Sequence, residues 1–248
     1  MPRRLKLALL HLSGSVLTAV CCGALVFGIW YPMPYWLFAG GQDLLLLMLS
    51  VDMVLGPLLT LVAGSPGKTS RHLAADIAVI VAVQLAGLAY GLHAMWEVRP
   101  VAMVAESGVL RVVIAADILD KDWAGMPEGA GRWSFRRPGM MGLRPPRSAA
   151  ERHERTQWLI QGKMPGSHPA YWQPYAQSRE EIVSSAKPVD RLLTVMDEAS
   201  QRKLAGAVAQ SGRQSAQLSA VPVLARDKGW WALIDGHTAE VLQFVRLE

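Results

Sequence analysis

The sequence predicts a membrane protein with three transmembrane α-helices followed by a soluble α+β domain that carries an antiparallel sheet. Three observations lead there. The long apolar runs lie before Glu97, charged, Gly and Pro residues are frequent after it, and the stretch from Leu218 to Leu247 alternates short β-branched and aromatic runs with polar turns. The boundary therefore falls at 97/98, with a transmembrane domain over 1–97 and a soluble domain over 98–248 that contains a flexible loop near 126–147.

The first span runs from about Leu7 to Ile29, preceded by Arg3, Arg4 and Lys6 and ending in Trp30 and Tyr31. Its length and its aromatic end fit a retained helix better than a signal peptide, whose apolar core is shorter. Pro32 and Pro34 then forbid a continuing helix, Trp30, Tyr31, Tyr35 and Trp36 read as interfacial aromatics, and Gly40 with Gly41 turns the chain back.

The second span, Leu44 to Val62, is apolar over 19 residues except for Asp52 near its middle. At roughly 1.5 Å per residue it covers most of a hydrocarbon core about 30 Å thick. An acid at that depth costs from about 2.5 kcal/mol upward, so it faces protein, a polar partner or water. Two readings stand for Asp52, a packing role through a neighbouring helix and a functional one. Gly56 and Pro57, one turn on, predict a kink.

The third span, about Leu73 to Trp96, opens near Asp76 and carries Gln84 at its middle. Asp76 reads first as a helix-end charge stabilised by the dipole, with Thr69 or Ser70 as cap. Gln84 has no such account and must bond within the bundle, with Asp52 as its expected partner. Arg3, Arg4 and Lys6 fall on one side with Lys68 and Arg71, whereas the 30–43 loop has no Lys or Arg. The excess of basic residues makes that side cytoplasmic, so three crossings put the soluble domain outside, in the periplasm of a bacterium with two membranes.

In the soluble part, Val101–Ala105 and Val109–Ala115 read as strands around a Gly108 turn, and His153–Gln161 as a short helix. Arg179–Ser185 and 188–208 read as helices with Leu192, Leu193, Met196, Leu204 and Val208 on one face. Leu218–Ala225, Trp230–Ile234 and Val241–Leu247 read as strands. Alternation places one of Trp230 and Trp231 in the core and the other on an exposed contact surface.

Several functions are excluded. Residues 97–248 hold 20 Lys and Arg against 17 Asp and Glu, too even for a nucleic-acid stripe. Cys21 and Cys22 are adjacent and lack C-x-x-C spacing, and the six histidines show no HExxH or paired spacing. No cofactor, metal or catalytic residue is expected. Gly64 to Lys68 lacks the spacing of a phosphate-binding loop.

Taken together, Trp30-Tyr31-Pro32 with Pro34, Gly40-Gly41, Val51-Asp52 with Gly56-Pro57, Asp76, Gln84-Leu85, Tyr90-Gly91 and Arg99-Pro100-Val101 resemble the TfpX/TfpZ-type accessory proteins of type IV pilins. The likeness covers about residues 4–115 and is looser beyond. It implies a non-enzymatic, chaperone-like protein of the bacterial inner membrane that assists the stability, assembly or surface display of a type IV pilin. On this reading a groove between spans two and three receives the pilin helix, with Asp52, Gly56, Pro57 and Gln84 at the site and Asp76 near the pilin amine. The competing classes are a membrane-anchored periplasmic scaffold and a small carrier or redox component using the intramembrane acids.

Overall fold

The computed structural model describes residues 2–39, 42–64, 69–126 and 138–247. Gly40, Gly41, Lys68 and residues 127–137 of the expected loop lie outside the described residues. The chain divides into two compact units, one of residues 1–32 and 40–98 and the other of residues 33–39 and 99–248.

The first unit is a helical bundle. Helix α1 (Arg3–Leu25) runs on as a π-helical turn, Val26–Trp30. After the short α2 (Tyr35–Ala39), which belongs to the other unit, come α3 (Gln42–Ala63) and α4 (Ser70–Glu97). Three segments, Arg3–Trp30, Leu45–Ala63 and Ser70–Glu97, are long and apolar enough to cross a membrane. Their outward faces are apolar, with Leu17, Val20, Val54 and Val83 largely exposed, as a lipid-facing surface requires. At one end of the bundle Tyr31 donates its hydroxyl to the Met95 carbonyl at 2.9 Å, and Trp30 meets Trp96 edge to face at 5.2 Å. The aromatics before Pro32 thus clasp the ends of α1 and α4. Helix α3 continues through Pro57, which leaves the Met53 carbonyl without its usual i+4 donor.

The second unit is built on a mixed sheet in the order β4-β3-β1-β2-β6-β7-β8, with β5 (Lys187–Pro188) also on β6. Its strands are β1 (Pro100–Glu106), β2 (Val109–Ile114), β3 (Gly139–Leu143), β4 (Trp172–Pro174), β6 (Leu218–Leu224), β7 (Trp230–Asp235) and β8 (Val241–Arg246). Ser107 and Gly108, both at positive φ, make the two-residue turn between β1 and β2. The purely antiparallel expectation is corrected, because β3 runs parallel to β1 and β2 parallel to β6. Residues 139–143, expected to be loop, are the strand β3. Two glycines among its five residues and the flanking Pro and Arg removed the periodic signal.

Helices α5 (Ala149–Ile160), α6 (Arg179–Ser185), α7 (Val189–Val195) and α8 (Glu198–Ser211) complete the unit. The expected continuous helix over 188–208 is two helices. Asp197 breaks it, its carboxylate accepting from the Ala199 and Ser200 amides at 2.9 and 3.0 Å as the cap of α8. Alternation on the strands feeds both faces of the sheet. Met103, Ala105, Val221 and Ile234 pack under Phe38 and Ile182, while Leu218, Ala220 and Leu233 pack with Val189, Leu192 and Leu204 of α7 and α8.

Segment 33–39 is the feature of this core least foreseen. The Pro34 carbonyl accepts from the Leu37 amide, and α2 turns Tyr35 and Phe38 to one side, where Phe38 is wholly buried. Its ring meets Trp230 and Phe244 edge to face at 5.4 and 5.0 Å, and its carbonyl accepts from the Asp227 amide at 3.0 Å. Tyr35 is therefore a core residue rather than an interfacial one, and burial raises its phenol pKa. Neither Trp230 nor Trp231 is an exposed surface. Both are half-buried, Trp230 against the Phe38 cluster and Trp231 against the α7–α8 cluster, with Lys187 over the Trp231 ring at 5.1 Å.

Two carboxylates anchor loops here. Ser148 caps α5 by accepting from the Glu151 amide, and the Glu151 carboxylate accepts from Arg144, Arg155 and the Arg147 amide. Desolvation works to raise the Glu151 pKa, but the Arg147 amide and the two guanidinium groups outweigh it and hold it at about 2, against an ordinary 4.5. Asp235 organises the β7–β8 turn by accepting from the Thr238 and His237 amides at 2.8 and 2.9 Å and pairing with Arg213. Those amides, against the opposing effect of burial, hold its pKa below the usual range.

Two outcomes are expected of the full chain in a non-ionic detergent. Phe38→Ala lowers the unfolding free energy of the C-terminal unit by about 3–5 kcal/mol, read by urea titration of tryptophan fluorescence. The Glu151 contribution is fully present above pH 4.5 and is lost as pH falls from there toward about 2, because the unfolded carboxylate takes up its proton first. Unfolding midpoints across that window should fall with pH in the parent and fall less in Glu151→Gln.

Candidate functional site

The polar residues of the spans converge on α3. His11 of α1 uses both ring nitrogens, Nδ1 with the Thr60 hydroxyl at 2.6 Å and Nε2 with Gln84 Oε1 at 2.8 Å. Gln84 of α4 donates from Nε2 to the Asp52 main-chain carbonyl at 3.3 Å, and its carboxamide also reaches the Asp52 side chain. The bonds join into one chain, in which Nδ1 of His11 pairs with the Thr60 hydroxyl, its Nε2–H donates to Gln84, and Gln84 donates to the Asp52 carbonyl. The chain of bonds ties all three spans together.

Close approach makes this possible. A β-carbon at Gly56 would lie 2.8 Å from His11 Nε2 and closer still to the Gln84 carboxamide. One turn on, Thr60 is 1 % exposed, and one turn further a β-carbon at Gly64 would stand 3.2 Å from the Arg4 Cα. Gly56, Thr60 and Gly64 thus form a small-residue seam along which α1 packs on α3. Between α3 and α4, Gly91 of α4 makes room for the Met48 thioether.

With α1 and α4 both leaning on α3, an open groove of about 330 Å³ is left between them. Leu7, His11, Gly14, Ser15, Thr18 and Ala19 of α1 form one wall, Ile77, Val81, Gln84, Leu85 and Leu88 of α4 the other, and Leu49, Asp52 and Thr60 the floor. The lining is mostly apolar, and half-buried Asp52 is its carboxylate among the described residues.

The expected site residues divide accordingly. Asp52 and Gln84 share the groove, Gly56 is the buried contact beneath it, and Pro57 is half-buried on the same helix. Asp76 is not among the lining residues. Nor is it a first-turn charge, because α4 starts at Ser70, where Thr69 accepts from the His72 amide, six residues before Asp76. His11 and Thr60 were not singled out from sequence. Their signal was present, a histidine within the apolar run LALLHLSG and a threonine spaced four residues from Gly56 and Gly64. Among the described residues no group of three or more His, Cys, Asp or Glu is placed to hold a metal ion.

These features define a polytopic membrane protein with a mostly apolar groove, holding one carboxylate among the described residues, in its helical bundle and an α+β domain. The Fimbrial assembly protein FimB family matches residues 1–40. A fimbrial assembly protein of serogroups C1 and C2 from Dichelobacter nodosus is 33 % identical over 114 residues, 46 % of this chain and 87 % of that one. Those of serogroups E1 and I from the same organism are each 27 % identical over 232 residues, 93 % of this chain and 90 % of theirs. The chain belongs to the fimbrial assembly protein family. No solved structure matches it.

One outcome tests the seam. Gly56→Ala should destabilise the bundle by about 1–3 kcal/mol through overpacking against His11 and Gln84. Gly87→Ala, where nothing lies within 4 Å, should be neutral or slightly stabilising. Unfolding in mixed micelles by far-UV circular dichroism distinguishes them.

Proposed function

We propose that this chain is an inner-membrane accessory protein of the TfpX/TfpZ type, without enzymatic activity, that assists the stability, assembly or surface display of a type IV pilin in a chaperone-like way. The observation that carries the reading is the half-buried Asp52 on an open groove inside the spans of a chain whose relatives are named fimbrial assembly proteins over nearly its whole length. An acid placed in hydrocarbon and left facing an opening calls for a partner there. The groove, walled by spans one and three over span two rather than lying between spans two and three as the sequence suggests, receives the pilin helix, Asp52 and Gln84 supply polar contacts over the Gly56–Pro57 turn, and Asp76 lies toward one end of the path.

The N-terminus is cytoplasmic and the C-terminal domain periplasmic. The basic residues Arg3, Arg4, Lys6, Lys68 and Arg71 support this orientation. So does the burial of Phe38 in the C-terminal unit, since three crossings put the loop after span one and the domain after span three on one side. In that place the domain shields the pilin head from premature pairing.

Deleting the chain in its host should lower pilin abundance by immunoblot, surface pili by shearing, or both. Unchanged levels of the two would reject the accessory role. A generic three-span anchor carrying the same domain should fail to restore them, whereas full rescue would make the protein a scaffold on a passive anchor.

A further inference from the structure

Resting on that reading, we propose that the groove is shaped for one transmembrane helix that carries a hydrogen-bond donor or cation at the depth of Asp52, the pilin membrane helix being that occupant, and that His11 holds the seat open for it.

Shape is the first ground. The α1 wall extends from Leu7 to Ala19 and the α4 wall from Ile77 to Leu88. At roughly 1.5 Å per residue these are walls about 18 and 16 Å long, some three helical turns. A volume of about 330 Å³ spread along that length is a trough rather than a chamber for a compact ligand. Gly14, Ser15, Thr18 and Ala19 make the α1 wall low, which is the surface against which a further helix packs at short axial distance.

Polar bookkeeping is the second. Both nitrogens of His11 are engaged, by Thr60 and Gln84, and the Gln84 oxygen is taken by His11. One Gln84 N–H goes to the Asp52 main-chain carbonyl, which leaves the other for the carboxylate. An ionised carboxylate offers about four acceptor sites. The residual demand faces the trough, and a helix with an amine, guanidinium, amide or hydroxyl at that level meets it. His11 is a positioning residue here. Its bridge from α1 to α4, above Gly56, braces the two walls on α3 without itself offering a free donor.

Cross-linking in host membranes tests this with the full chain made Cys21→Ser and Cys22→Ser. Thr18→Cys, on the wall, and Val83→Cys, on the lipid-facing side at 68 % exposure, are each paired with single cysteines scanned along the pilin helix. Thr18→Cys should give disulfides that recur every three to four pilin residues, and Val83→Cys should not. Asp52→Leu should lower the yield about tenfold or more, the factor of one charge-assisted hydrogen bond, with Asp52→Asn between it and the parent. Membrane levels of each variant by immunoblot confirm that the bundle is intact. His11→Ala at normal abundance should lower the Thr18→Cys yield while leaving the pilin periodicity unchanged. Equal yields from Thr18→Cys and Val83→Cys, or disulfides only between two copies of this chain, would overturn the proposal. Absence of pilin cross-links while deletion still depletes pilin or pili would sink the groove assignment and leave the accessory reading standing. Loss of the deletion effect would remove that reading itself.

Discussion

The His11–Gln84 contact over Gly56 is what the helical bundle depends on. A polar side chain inside hydrocarbon has no water to return to, so each must find its partner on another helix, and the positions of the helices are fixed by where those partners meet. His11 reaches two helices at once because an imidazole carries two polar nitrogens on opposite edges. Any side chain at position 56 would hold the helices apart, so glycine there sets the distance and the histidine sets the rotation. The seam of Gly56, Thr60 and Gly64 explains why α1 lies along α3, and the groove is the space left between α1 and α4 above α3.

A second constraint governs the C-terminal unit. Its core is completed from outside its own sequence stretch, by Tyr35 and Phe38 of the segment that follows the first span. Phe38 fills the space between Trp230 and Phe244, and the backbone bond from Asp227 locks it. The sheet therefore has no finished hydrophobic layer until residues separated by about two hundred positions have met. In an assembling chain this makes the domain report on the loop between spans one and two, a coupling that a domain following the last span by itself would lack.

How much of this was legible in the sequence follows from what kind of signal each feature leaves. The spans were readable because hydrocarbon imposes composition over twenty residues, and the terminal strands because alternation with Asp-Gly turns is local. Residues 139–143 were not, since a strand of Gly-Met-Met-Gly-Leu is specified by its neighbours β1 and β4 rather than by its own propensity. The parallel pairings are long-range for the same reason, and an antiparallel sheet is the natural guess when only hairpins are visible. In the site, Asp52 and Gln84 stood out as polar residues without excuse. His11 did not, because it lies close to a basic N-terminus and was counted with the scattered histidines. Thr60 was hidden because threonine is unremarkable in a membrane helix, and the small-residue seam shows its purpose only when α1 is laid on it. Asp76 misled through a helix start placed three residues too late.

The energies bear on the role proposed for Asp52. Interhelical hydrogen bonds in membranes average about 0.6 kcal/mol each, so the three bonds of the network contribute on the order of 2 kcal/mol. An acid at mid-depth costs about 2.5 to 3.5 kcal/mol on the insertion scale. The network as a whole therefore roughly cancels the acid, and the bundle would be firmer with an apolar residue in its place. Gln84 needs only the main-chain carbonyl of residue 52, which any side chain there would leave available. The carboxylate is thus the one member of the cluster that the packing does not require, and it lines the groove. Such a cost, set at a groove whose α1 wall carries Gly14 and Ser15, is what the proposed occupant would offset, since local rules broken without a gain in stability are the ones that call for a functional account.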